Sequence, residues 1–529
     1  MSIGFWQPTT TRACFSREEL AIVPAYIREN AWVIQDPSSG CPGAGIGGDL
    51  SAGGYPVLAV LPPLYPEWLG DQSFLHTHNV RFPYAIGAMA HAIASAPLVI
   101  AAAKARMLAF YGAGGVHPSK VEQAVVEIRQ AVEAEGLSWG ANLIHSPHDP
   151  ELENIVADMY LRHGVRRVDA SAYLRLTPAV VRYACSGLKT DPAGNIVRVN
   201  HLFAKLSRPE VAAQFLSPAP AEVVAGLVQQ KLLTEEEARL APYIPLAEDI
   251  TVEADSGGHT DNRPLVALFP TIRALRDQLS AKHGYARAVR IGCGGGIGTP
   301  DAMAAAFGLG AAFVLTGSVN QASVEAGTSD AVKQMLAQAD IADVIMAPSP
   351  DMFEMGVRVQ VLRKGTMFAG RASQLYDLYV RYGSLEEIPE GTREKIEKDI
   401  FREPLDQVWQ STAKFFEQRD PKQLAKANAD PKFKMALVFR SYVGQSSHWA
   451  VRGDASRKLD YQIWCGPAMG AFNNWTRGSF LAEPANRTVV QIGLNLLEGA
   501  AVVTRAQQLR TYGLPMPDAA FDYRPRPLQ

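Results

Sequence analysis

The sequence predicts an α/β protein: a (β/α)8 TIM barrel with an N-terminal α+β segment, a helical insertion and a mostly helical C-terminal region. Three observations carry this expectation. From Tyr84 onwards, eight short apolar runs alternate with helical patterns, the rhythm of a parallel sheet whose crossovers are helices. Ala288 to Asn320 reads as one complete strand, glycine loop, helix, strand unit. Two clusters of small, donor-rich residues follow consecutive strands at the end of the series, where such barrels place phosphate.

Residues 1–79 form the N-terminal α+β segment. Short runs at Leu20–Tyr26 and Trp32–Gln35 precede the turn-rich stretch SSGCPGAGIGGDLSAGGYP, and Val57–Leu61 predicts a strand ended by Pro62-Pro63. The barrel follows over 80–345, with strands expected at Tyr84–Gly87, Met107–Tyr111, Trp139–Leu143, Arg167–Ala170, Leu202–Leu206, Ile250–Ala254, Val289–Ile291 and Ala312–Leu315. Between the second and third, Ser119–Ala134 sets Val121, Ala124, Val125, Ile128 and Val132 on one helical face. The fifth crossover is too long, and 217–247 reads as an inserted helical hairpin with a capping box at Thr234 and Glu237. Such an insertion is expected to border the active-site face or an interface.

The seventh strand opens into Gly292–Gly298, five glycines in seven positions, which can turn peptide N–H groups towards an anion without a Cβ in the way. Thr299 suits an N-cap, Pro300 the first helical position and Asp301 the first turn. The helix N-terminus adds roughly 0.3–1 kcal/mol for each favourable charge contact. The eighth strand ends in Thr316-Gly317-Ser318. The glycine loop does not open a βαβ unit with an acidic residue about twenty positions on, which argues against a Rossmann fold. From about residue 346 to 529 the βα rhythm gives way to helical stretches.

Composition sets the outer bounds. The 529 residues are 47% hydrophobic and 20% charged, with a formal net charge of −2. That balance offers no electrostatic footprint for nucleic acid or an anionic membrane. Cys14, Cys41, Cys185, Cys293 and Cys465 lack CxxC spacing, so neither a metal site nor a disulfide framework is predicted. The start MSIGFWQPTTTRACF lacks the basic start and apolar core of a signal peptide, and a cytoplasmic location is expected. Phe82–Ala103 is uncharged but interrupted by Pro83 and Pro97, which favours strand plus helix over a membrane span.

The chemistry-bearing candidates fall at strand ends. Strand six runs into Asp255-Ser256-Gly257-Gly258-His259, at the C-terminal mouth where barrel chemistry occurs. His259 can give a proton or a hydrogen bond near neutral pH. Gly257 and Gly258 permit close approach of a flat ligand. Asn142 brings an amide to the end of strand three, and Lys205 brings a cation to strand five, where it would be costly to bury unpaired. Gly87, Ala88 and Met89 present small residues and backbone at the first strand end.

These motifs resemble a family. Gly87-Ala88-Met89-Ala90, the SGGH at 256–259, the GGGIG loop and the TGS after strand eight are similar to those of flavin mononucleotide barrels that include nitronate monooxygenases and flavin-dependent enoyl-acyl-carrier reductases. LPPLYPEWLG (61–70), EADSGGHTD (253–261), DMFEMGVRVQVLRKG (351–365), RASQLYDLY (371–379), KMALVFRSY (434–442) and GPAMGAFNNW (466–475) resemble the PfaD-type enoyl reductases, which act in trans with polyunsaturated fatty acid synthases and trans-acyltransferase polyketide synthases. The resemblance spans nearly the whole chain, and its C-terminal segments are the more specific. It implies His259 as the active-site histidine, Gly294, Gly295, Gly296, Thr316, Gly317 and Ser318 as the phosphate clamp, and Gly87 to Met89 as the flavin bed. Asn142 would then meet the flavin ring edge, Lys205 the negative N1/O2 side of the reduced ring, and Gly257-Gly258 its flat face. The implied cofactors are FMN with NADPH or NADH as hydride donor, and the implied partner is an acyl carrier protein bearing an enoyl thioester within a synthase complex. The alternatives are a nitronate-monooxygenase-like flavin oxidase and a carrier-docking scaffold without catalysis. The EAGGH of nitronate monooxygenases reads here as Asp255 to His259 with Asp and Ser leading, which argues against the oxidase.

Overall fold

The computed structural model describes residues 3–9, 11–147 and 149–529. Eight parallel strands close a barrel: β1 Tyr84–Ile86, β2 Leu108–Tyr111, β3 Gly140–Ile144, β4 Arg167–Ser171, β5 His201–Leu206, β6 Asp249–Glu253, β7 Arg290–Gly294 and β8 Val314–Thr316. Each overlaps the run expected for it. The barrel closes where Leu315 of β8 pairs with Ala85 of β1. The helix after β2 spans Pro118–Val132 and buries the five residues its periodicity selects.

The barrel floor is plugged rather than open. Helix Gln72–His78 inserts Phe74 among Phe203 and Phe313, with the Phe74 and Phe313 rings stacked 4.6 Å apart. Beside it, fully buried His78 meets Asp249 at 2.9 Å, and Asp249 also accepts from Arg290 at 2.6 and 2.8 Å. Asp249 and Arg290 begin β6 and β7, so this network sits at the N-terminal end of the strands, opposite the mouth.

The insertion does not border the active-site face, the first of the two placements expected for it. Its helices, Ala221–Gln229 and Glu235–Leu240, carry the expected Thr234–Glu237 capping box. None of its residues lines the mouth cavity. It leaves helix Pro209–Leu216 and re-enters at the start of β6, so it belongs to the N-terminal face, where the first of its helices packs on Pro178–Cys185. The N-terminal segment forms a five-stranded antiparallel sheet with short helices. Part of the glycine-rich stretch expected as turn is in fact strand Pro42–Ile46. There the glycines make room for aromatic rings: a Cβ on Gly45 would lie 2.7 Å from the Trp6 ring.

Two features of the C-terminal region depend on tertiary contacts. Only a single turn, Ser318–Gln321, follows β8. Helix Val489–Thr511 packs between the helices after β7 and β1, taking the place of an eighth barrel helix. Gly499 allows the close crossing, since a Cβ there would lie 2.5 Å from Pro300. This helix is long and apolar enough to cross a membrane, but most of that apolar surface is buried against the barrel. Strands Val344–Pro348 and Arg358–Leu362, which the helical reading did not anticipate, pair antiparallel and join the short strand Gly258–His259. Helices Phe368–Arg381, Glu390–Ile396, Leu405–Arg419 and Pro431–Arg452 build a second core around Phe353, Phe368, Phe439 and Tyr442.

Candidate active site

The C-terminal ends of the strands open into a cavity of about 1040 Å³ roofed by the C-terminal helices. Its walls include Gly87, Ala88, Met89, Asn142, Lys205, Gly257, Gly258, His259, Gly294, Gly295, Gly296, Thr316, Gly317 and Ser318, so every residue selected from the sequence lines one space.

The two donor loops are shaped by their glycines. Gly295 and Gly296 have φ of +86° and +73°, a region costly for other residues. A Cβ on Gly295 would lie 2.9 Å from the Ala254 carbonyl carbon, whereas one on Gly317 would meet nothing within 4 Å. Among the described residues, the peptide N–H groups of Gly296 and Gly317 have no protein acceptor. Open space beside free donors, next to the N-terminus of helix Pro300–Gly308, suits an anion. The Thr316 side chain turns away from the barrel interior towards the helix layer, its hydroxyl 2.6 Å from that of Tyr84 and accepting from Asn320 at 2.8 Å. Ser318 accepts from the Gly466 N–H at 3.0 Å, so the GPAMG segment helps to wall the cup.

Asn142 is buried, and its amide oxygen accepts from the Ala113 N–H at 2.7 Å. Its amide nitrogen is what remains to offer. Lys205 is not isolated: its ammonium contacts Glu253, which also accepts from Ser256 at 2.9 Å. Below them Asp169 is fully buried; burial pushes its carboxyl up to about 7 although Lys205 opposes the rise. Sequence reasoning left out Glu253 and Asp169. The signal was available, because period-two alternation turns Asn142, Asp169, Lys205 and Glu253 all towards the barrel interior.

Gly257 admits protein: a Cβ there would lie 2.9 Å from the Cys465 nitrogen. His259 is held on the edge of the small sheet, paired with Val359. Its Nε2 lies 3.2 Å from Asp351 Oδ2, and Ser349 donates to the other oxygen of Asp351. Burial alone would lower the His259 imidazole, but the Asp351 carboxylate outweighs it and the net shift is upward. Asp351 is correspondingly held below the usual carboxylate range, its own burial overcome by His259 and Ser349. Asp351 opens the segment 351–365 singled out above, but nothing in the sequence linked it to His259, almost a hundred residues earlier. On the facing wall His91, at φ +57°, stacks on Trp464 with ring centroids 5.3 Å apart. Burial lowers it to about 4, and His448 adds to that effect.

Residues 382–461 match the family described as acyl-carrier-protein S-malonyltransferase, inserted helical domain. Over 86% of its length the chain is 46% identical to a polyunsaturated fatty acid synthase protein of a Thraustochytrium species, covering 31% of that protein. It is 43% identical to polyketide biosynthesis protein PksE of Bacillus subtilis, over 84% of this chain and 58% of that one. The chain thus spans less than two thirds of these relatives. The crystal structure of the enoyl reductase domain of MlnA, from the macrolactin biosynthesis cluster of Bacillus amyloliquefaciens, is 40% identical with a TM-score of 0.79, over 84% of this chain and 99% of that one.

Proposed function

Because the chain belongs to the enoyl reductase family that includes the MlnA domain, the PfaD-type reductases its motifs resemble, we propose that it is an FMN-dependent enoyl reductase. In this reading it uses NADPH or NADH and acts in trans on trans-2-enoyl thioesters carried by an acyl carrier protein of a polyketide or polyunsaturated fatty acid synthase. The observation that carries the reading is the meeting, in one cavity, of two anion-ready glycine loops and a histidine paired to a carboxylate. Gly294 to Gly296 and Thr316 to Ser318 would hold the phosphate, Gly87 to Met89 would bed the ring, and Asn142 and Lys205 would meet its polar edge. FMN held there would supply the hydride-transfer chemistry that links the nicotinamide to the β-carbon of the enoyl group. His259 gives a proton to the α-carbon or a hydrogen bond to the thioester oxygen, where negative charge develops. The walls of the cavity orient the thioester and exclude water.

The test is direct. Purified protein is expected to be yellow, to release FMN on denaturation, and to oxidise NADPH only when an enoyl thioester is supplied. Release of FAD would overturn the cofactor assignment. Bound flavin that reacts with nitronates and not with enoyl thioesters would overturn the substrate assignment.

A further inference from the structure

We infer that Asp351 is a positioning residue that keeps His259 protonated and aims its Nδ1–H into the cavity, so that the proton donor is complete only when the hairpin 344–362 docks on the barrel mouth. The inference rests on the reductase reading above. Its basis is the way the pair is assembled from two places. His259 comes from the loop after β6, whereas Asp351 comes from the turn between strands Val344–Pro348 and Arg358–Leu362. What joins them is the register Gly258 with Gln360 and His259 with Val359. Gln360 strengthens the joint, its amide donating to Asp255 Oδ1 at 2.7 Å and to the Ser256 carbonyl at 2.8 Å.

The contact of Nε2 with Asp351 Oδ2 at 3.2 Å leaves Nδ1 as the ring nitrogen free to meet a substrate. Ser349 donates to the second carboxylate oxygen and so fixes the carboxylate plane. Other charges also act on the ring: Glu253 on β6 favours its protonation, and Lys205 on β5 opposes it. Since Lys205 and Glu253 pair with each other, Asp351 is the charge that decides. Both partners are in part reached by water, with 36% of the His259 side chain and 52% of the Asp351 side chain accessible. An occupant that displaces this water would strengthen the pair. In the reaction the proton leaves Nδ1 for the substrate and is replaced from solvent, while Asp351 stays ionised throughout.

The experiment is an NMR titration of the His259 ring in the full chain, combined with pH profiles of thioester reduction, for the parent and for Asp351→Asn, Asp351→Glu and Ser349→Ala. Asp351→Asn should lower the titration point of His259 and move the alkaline limb of the rate profile to lower pH. The turnover number should fall by about tenfold or more at pH 8, with less change in KM. Asp351→Glu should recover much of both effects, and Ser349→Ala should show a smaller shift of the same sign. An unchanged His259 titration in folded Asp351→Asn would overturn the inference, as would a uniform loss of rate with no shift of the profile. If the NMR shifts occur but the parent does not reduce enoyl thioesters, the pairing stands and the reductase reading fails.

Discussion

Two glycines of the anion cup differ in what they do, and the difference separates folding from binding. Gly295 adopts a left-handed φ and abuts the Ala254 backbone, so Gly295→Leu should cost stability as well as ligand. Gly317 has a φ of −119° and open space where its Cβ would stand. Gly317→Leu should therefore melt within a few degrees of the parent, yet lose cofactor retention because the side chain fills the cup. Thermal melting together with the flavin-to-protein absorbance ratio tests this. Full flavin occupancy in a folded Gly317→Leu variant would remove Gly317 from the phosphate clamp.

At the scale of elements, the helical region is tied together by one carboxylate. Asp460 is fully buried and accepts from Arg371, from Arg402 at 3.2 Å, from Arg457 at 3.4 Å and from the Tyr442 hydroxyl at 2.8 Å. These groups come from separate helical segments, so Asp460→Ala would leave several guanidinium groups facing one another without their anion. Removing one partner of such a buried network costs about 3–5 kcal/mol. The expected result is a lower melting temperature and faster proteolysis within 382–461; unchanged melting would refute the role. How legible these elements are varies with how local their causes are. The barrel strands could be read because parallel strands buried on both faces are short apolar runs, as in Met107–Tyr111. The hairpin at 344–362 escapes a sequence reading although Val359 and Val361 alternate with polar neighbours, because the surrounding stretch looks like an approach to a helix. Helix Val489–Thr511 could be read as a helix, but not as the barrel's eighth, since its partners Pro300–Gly308 and Ala96–Lys104 lie far earlier in the chain. Asp351 opens the segment DMFEMGVRVQVLRKG that carries the family resemblance, but nothing there tied it to His259, because that link depends on a sheet register.

For the whole molecule, the barrel separates chemistry from stability along its axis: the mouth holds the groups of the cavity, and the floor holds a sealed polar network. Within that floor, burial is the largest influence on His78 and lowers it to about 4, with Arg290 and Arg167 adding to the effect and Asp249 opposing it. Asp249 moves below its ordinary range, because His78 and Arg290 outweigh its own burial. Both groups therefore bind protons more readily in the unfolded chain. The His78 contribution is fully present above its unfolded value of about 6.5 and is lost as pH falls towards 4; that of Asp249 is lost at still lower pH. His259 has the opposite sign, since its raised value adds stability at low pH that is lost as pH rises, but it is partly exposed and weighs less. His78 alone lowers the unfolding free energy by about 3 kcal/mol between pH 6.5 and 4; His91, also lowered to about 4, adds to that loss, and Asp169, raised to about 7, opposes it. Urea unfolding across that range measures the slope directly. In His78→Gln the amide can still donate to Asp249 but cannot titrate, so the variant should be less stable at pH 7 and show a flatter dependence. A slope as steep in His78→Gln as in the parent would move the acid sensitivity away from the barrel floor.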